Sequence, residues 1–135
     1  MDTSDPKPQP VERGRVLAGI SNSMVGLHRR YYGRGPTKAK TFMHDDYVLC
    51  ILEDIFTTVE QTLIEAGETE RVRQTRLKFQ DAMEAEFIGA VEEQTGRKVR
   101  AFLSQSHARP DMTVELFLLE PEPDGDQPSS GSAGR

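Results

Sequence analysis

Between residues 14 and 32 the apolar side chains return every three or four positions. Val16, Ile20, Met24, Leu27 and Tyr31 make one stripe, and Leu17 widens it. That period predicts an amphipathic helix from about Gly14 to Tyr32. Gly33 follows the last stripe residue as a helix-ending glycine does, and Arg29 and Arg30 fall in the last turn, where cations favour the negative end of the helix dipole. The pattern then changes. Tyr47–Glu53, YVLCILE, is an almost continuous apolar run of strand length, and a shorter strand-like stretch, Ala39–Met43, precedes it across the turn signal His44-Asp45-Asp46. The two predict a hairpin. Thr57-Thr58-Val59-Glu60 fits a capping box that opens a helix ending near Gly67. A long helix follows, from about Thr69 to Gln94, with Val72, Phe79, Met83, Phe87 and Val91 as its buried stripe, Leu77 and Ile88 broadening it, and Gly96 as its stop. Lys98–Ser104 alternates, with Val99, Ala101 and Leu103 on one face; QSHARPD is a loop; Met112–Glu120 is rich in strand formers.

The order helix, two strands, two helices, two strands predicts a two-layer α+β fold: a four-stranded antiparallel or mixed sheet with about three helices packed on one face. Strand order is not readable from the pattern. Residues 1–12, with three prolines, and residues 121–135, PEPDGDQPSSGSAGR, predict a disordered lead and a disordered acidic tail around a single domain at 13–120. No repeat at solenoid spacing is present.

Composition changes this picture little. At 135 residues, 36% hydrophobic and 29% charged, the chain is an ordinary soluble domain. Its one cysteine, Cys50, excludes an internal disulfide framework and reads as a buried small hydrophobe. No signal peptide and no window of about 18 apolar residues is expected, so the expectation is a cytoplasmic protein whose membrane role, if any, runs through a partner. Charge changes the picture more. The net charge is −5. Yet Arg13, Arg15, Arg29, Arg30, Arg34, Lys38 and Lys40 stand in a segment without a single acid, while Thr41–Glu120 is strongly acidic. Such a block steers an anionic partner or pairs with the protein's own acids.

The stretch YYGRGPTKAKTF, Tyr31–Phe42, is therefore the main candidate site. Gly33, Gly35 and Pro36 would turn the chain, as Gly96 would later. Arg30, Arg34, Lys38 and Lys40, with Arg97 and Arg100, would hold bicarbonate, phosphate or an acidic partner segment. It is not a P-loop, because a helix precedes it and its glycines are two apart. The plainer alternative is a glycine-capped helix end with exposed cations. Stacking of bases on Tyr31, Tyr32 and Phe42 would suit nucleic acid, but Tyr31 lies on the core stripe and the rest of the chain is acidic, so this reading is weaker. His44, Asp45 and Asp46 could join His107 and Asp111 around a metal; the spacing matches no ligand pattern, and polar turn residues explain it more simply. His28 has no partner in view. No cofactor is expected. GxSxG, HExxH and a Cys/His couple are absent, and Asp81, Glu84, Glu86, Glu92 and Glu93 read as the solvated face of the long helix, so a non-enzymatic protein is expected.

GRGPTKAKT at Gly33–Thr41, FQDAMEAEFI at Phe79–Ile88 and TGRKVRAFLSQSH at Thr95–His107 resemble the small bacterial MpsC-like proteins, including the YbcI type, over about residues 13–120. Family-like positions are Gly33, Arg34, Gly35, Pro36, Lys38, Asp46, Thr95, Gly96, Arg97, Val99 and Ser104. The resemblance implies an accessory or regulator of a sodium-translocating, membrane-potential-generating system, associated in some members with cation-coupled uptake of inorganic carbon. It brings no catalytic residues. Together these observations predict a homodimer that acts by binding, through an anion, an acidic partner or a membrane transporter subunit. A structural adaptor without small ligand is the alternative.

Overall fold

A computed structural model describes residues 10–122. Its elements are α1 (Pro10–Tyr32), β1 (Lys38–His44), β2 (Tyr47–Glu53), α2 (Thr58–Glu65), α3 (Thr69–Thr95), β3 (Val99–His107) and β4 (Met112–Leu119). The order α-ββ-αα-ββ is the expected one. Helix α1 begins four residues earlier than the stripe suggested, and β3 runs three residues further. Residues 1–9 and 123–135, most of the expected disordered ends, lie outside the described residues.

The local signals act as the sequence implies. The Thr57 hydroxyl accepts from the Glu60 amide at 3.2 Å, and the Glu60 carboxylate accepts from the Thr57 amide at 2.8 Å, closing the capping box of α2. Gly33 and Gly96 both end helices with positive φ, 78° and 71°, a conformation that costs other L-residues about 1–2 kcal/mol.

The sheet is antiparallel throughout, in the order β1-β2-β4-β3. Two hairpins therefore meet along the β2–β4 seam. Helices α1 and α3 cover one face. The core beneath them holds Ile20 and Met24 from α1, Val48, Cys50 and Leu52 from β2, Val72, Met83, Phe87 and Val91 from α3, and Phe117 and Leu119 from β4. Cys50 is fully buried, which pushes its thiol pKa to about 11.

Two expectations about faces fail, each for a physical reason. The buried side of α3 is Val72, Arg76, Gln80, Met83, Phe87 and Val91, while Phe79 is 41% and Leu77 50% exposed. The stripe keeps its helical spacing by passing through two polar residues instead of two apolar ones. In β3 a register irregularity between Val99 and Ala101 shifts the alternation. Val99 and Phe102 then pack against the core, whereas Leu103, expected on the side of Val99, is 59% exposed on the other face.

Candidate functional site

The structure disperses the expected basic site. Arg34 is tied to Asp54 at 2.7 Å and donates to the Phe56 carbonyl, and the Arg34 guanidinium holds the Asp54 carboxyl below its ordinary pKa. This clasp joins the end of α1 to the exit of β2. Gly35 sits against α1, where an added Cβ would come within 3.1 Å of the Val25 carbonyl, and Pro36 is buried. Arg30 lies 3.9 Å from Glu86 at the surface. Lys38 and Lys40 are exposed on β1, one edge of the sheet. Arg97 leads into β3 at the other edge, pairs with Asp46 and donates to the Glu120 carbonyl at 2.7 Å; Arg100 is exposed beyond it. The proposed metal ligands are likewise apart. His44 and Asp46 belong to the β1–β2 turn, whereas His107 and Asp111 belong to the β3–β4 turn at the opposite end and edge of the sheet. There Asp111 accepts from the amides of Ile55 and Phe56 at 2.8 and 3.3 Å.

A different constellation lies under the helices. Arg76 of α3 is 1% exposed. Its Nε and Nη2 donate to the Glu60 carboxylate at 2.7 and 2.6 Å, and Nη2 also donates to the Ile55 carbonyl at 3.0 Å. Its guanidinium lies 3.7 Å from the centre of the Tyr32 ring and 5.3 Å from that of Phe56. One turn on, Gln80 is 4% exposed. Opposite them β4 buries Glu115 completely. Burial pushes the Glu115 pKa up to about 8, so at neutral pH it is mostly a neutral acid. His28 of α1 stacks between Tyr32 and Phe87, and its Nδ1–H donates to the Met24 carbonyl at 2.8 Å. That bond fixes the tautomer and turns an unprotonated Nε2 towards Glu115, 3.7 Å away. Burial lowers the His28 pKa to about 4, so the two are a neutral couple and not an ion pair. Burial likewise raises the Tyr32 phenol to about 12.

This cluster has more hydrogen-bonding capacity than the described residues satisfy. His28 Nε2, Tyr32 Oη, Arg76 Nη1, both side-chain heteroatoms of Gln80 and both oxygens of Glu115 are buried without a well-formed hydrogen bond to a described residue, although Ser104 stands beside Glu115 and Arg76 beside Tyr32, close enough to pull both pKa values down against the effect of burial. Each such atom costs about 1–3 kcal/mol if nothing bonds it, so seven would cost roughly 7–20 kcal/mol. That equals the whole stability of an ordinary domain. The cluster therefore offers open hydrogen-bonding positions to water or to a small polar ligand. A cleft between α3 and β3 leads to it, lined by Glu70, Arg73, Arg76, Gln80, Ser104 and Ser106 among others, with about 30 Å³ of space for water-sized molecules. Sequence reasoning passed over these residues. The available signal was that positions 76 and 80 complete the spacing of the buried α3 stripe.

The opposite face of the sheet carries no helix. Its register sets Phe42, Leu49, Leu116 and Leu103 in one apolar row across all four strands. Tyr47 and Leu118 extend it on one side, and Ile51 and Val114 on the other. Phe42, Tyr47 and Leu103 are 46%, 50% and 59% exposed. No described helix is long and apolar enough to cross a membrane.

The described residues thus form a two-layer α+β fold with one apolar open face and a polar cleft beneath the helices. The chain belongs to the family described as Na+-translocating membrane potential-generating system (MpsC), whose profile matches residues 12–121. Among curated proteins and among solved structures, nothing matches.

Proposed function

We propose that the protein is a non-catalytic, cytoplasmic accessory of the membrane-potential-generating system that gives its family a name, acting as a homodimer joined through the open sheet face. A link to cation-coupled inorganic-carbon transport would run through a membrane partner, because the chain offers no spanning helix among its described residues. The observation that carries the dimer is β4. It turns Val114, Leu116 and Leu118 away from the helices and buries Thr113 and Glu115 beneath them. A strand that stayed wet on its open side would alternate the other way.

A second copy fits this face in size and charge. Four strands about 4.8 Å apart and seven residues at about 3.4 Å span roughly 450 Å² in projection. Upright side chains add to that, and two such faces together approach the ~1,000 Å² of a specific interface. A twofold axis parallel to the strands lays β1 over β3 of the copy. Lys40 then meets a row that ends in the uncharged Gln105 position, and no lysine faces a lysine.

Sedimentation equilibrium at micromolar concentration tests this, with Leu116→Lys as the variant. The expected result is a dimer that persists at high salt and a folded monomeric variant. A monomeric wild type overturns the dimer. A second reading keeps the basic segment: Lys38 and Lys40 on the exposed edge strand, which form no ion pair with a described residue, would receive an anion or an acidic segment of a partner. Weakened partner capture by Lys38→Ala with Lys40→Ala, at unchanged dimer mass, would favour it.

A further inference from the structure

We propose that the cleft between α3 and β3 is a binding site for a small monocarboxylate, which the free Nη1 of Arg76 and the amide of Gln80 hold from one side and Ser104 from the other. Nothing in this site depends on the dimer.

The donor balance carries the argument. Of the unpartnered buried donors, Arg76 Nη1 and Gln80 Nε2 belong to residues that line the cleft. Against these the cleft lining sets one unpartnered buried side-chain acceptor among the described residues, the Gln80 carbonyl. A guest that satisfies it must be rich in acceptors. Arg76 and Gln80 are both more than nine-tenths buried, and both line the cleft. A carboxylate can take one N–H from Arg76 Nη1 and one from the Gln80 amide, one on each oxygen. The cleft's small volume admits an acid of a few heavy atoms and leaves no room for a nucleotide. Glu60 already occupies Nε and Nη2 of Arg76, so the guanidinium is held in place with Nη1 presented. The Glu60–Arg76 pair brings no net charge to the site, and Arg73 at the mouth is 3.5 Å from Glu70.

Glu115 makes binding depend on pH. The titratable or charged groups facing it are His28 and Tyr32 from α1, Arg76 from α3 and Cys50 from β2; β3 contributes only Ser104. His28 has lost its proton above about 4, while Cys50 and Tyr32 keep theirs to about 11 and 12. Across the range between, Glu115 alone changes charge, near 8. Glu115 itself does not line the cleft; its ionisation acts on a carboxylate guest across Arg76 and Ser104, which do, by adding a negative charge behind them.

The test is an NMR titration of the isotope-labelled protein with sodium formate and sodium acetate, against sodium chloride and sodium phosphate at matched ionic strength. The readouts are the Arg76 Nε–H and Gln80 side-chain amide signals. Saturable shifts with formate or acetate are expected, with affinity falling up to tenfold per pH unit above about 8. Gln80→Leu, which keeps the volume and removes two unpartnered polar atoms, should stay folded and lose at least tenfold in affinity; Ser104→Ala should lose less. Equal response to chloride or phosphate overturns the proposal. So does unchanged affinity in folded Gln80→Leu, and so does the absence of saturable binding by either acid, which would leave water as the guest. Sedimentation of the same samples reads the dimer separately.

Discussion

The two faces of the sheet place their polar residues differently: on the open face they stand around an apolar row, whereas under the helices they are buried within an apolar core. There β4 buries Thr113 and Glu115 ahead of Phe117 and Leu119, and α3 answers with Arg76 and Gln80. On the face without helices, β2 and β4 offer Leu49, Ile51, Val114, Leu116 and Leu118. Apolar burial alone would have chosen the other arrangement, since each buried CH₂ gains about 0.8 kcal/mol and each buried polar group must find a partner. The covered side thus sets a few buried polar groups within its apolar core, and the uncovered side leaves an apolar row partly exposed.

The contrast can be broken from either side. The largest effect is expected from Arg76→Ala, which strands the Glu60 carboxylate beneath α3; breaking a buried pair in this way costs about 3–5 kcal/mol, readable as a lower urea midpoint. Next comes Leu116→Lys on the open face, which should weaken self-association by at least about a hundredfold, or ~3 kcal/mol, while leaving the thermal midpoint of the monomer nearly unchanged.

Glu115→Gln sharpens the comparison through pH. The folded pKa of Glu115 is raised from 4.5 to about 8, so its contribution to stability is complete below about 4.5 and is lost as pH rises to 8. His28 runs the other way. Its folded pKa is lowered from 6.5 to about 4, so its contribution is present above 6.5 and lost as pH falls towards 4. Between 4.5 and 6.5 the two slopes offset; above 6.5 only that of Glu115 remains. Wild-type stability should fall by about 1–2 kcal/mol between pH 6.5 and 8, and Glu115→Gln should flatten that fall in urea melts at each pH. The smallest effect is expected from Arg34→Ala. Its partner Asp54 is 42% exposed, so solvent screens the pair and its loss should lower the thermal midpoint only slightly. A much larger loss would place part of the folding energy in the α1–β2 clasp.

The element order and most boundaries were legible because they follow from short-range rules. The β2 run, the Thr57–Glu60 box and the glycines after α1 and α3 all act within a few residues. What was not legible depends on residues far apart in sequence. Glu115 alternates correctly in β4, but nothing local says that its side faces helices. Phe79 is a plausible stripe residue until the whole helix is laid against the sheet, when Gln80 takes the place. The irregularity at Arg100 reverses a face and leaves no mark in the alternation before it. The separation of Arg97 and Arg100 from the basic segment was not legible either, because strand order sends Lys38 and Arg100 to opposite edges of the sheet.

The strand order β1-β2-β4-β3 also divides the chain into two αββ halves, α1-β1-β2 and α3-β3-β4, each with a local hairpin. Within the sheet only the seam joins them, pairing Tyr47 with Leu118 and Glu53 with Met112 across α2 and α3, while α1 and α3 pack together over it. Folding is thus expected to form two hairpins early and close the seam last, since the loop entropy of the long connection must be met before β2 finds β4. Until it closes, each half presents a bare strand edge that a half from another molecule fits equally well. At low protein concentration the tether between β2 and β4 decides the outcome within one chain. In a crowded nascent pool, the same edges would exchange partners.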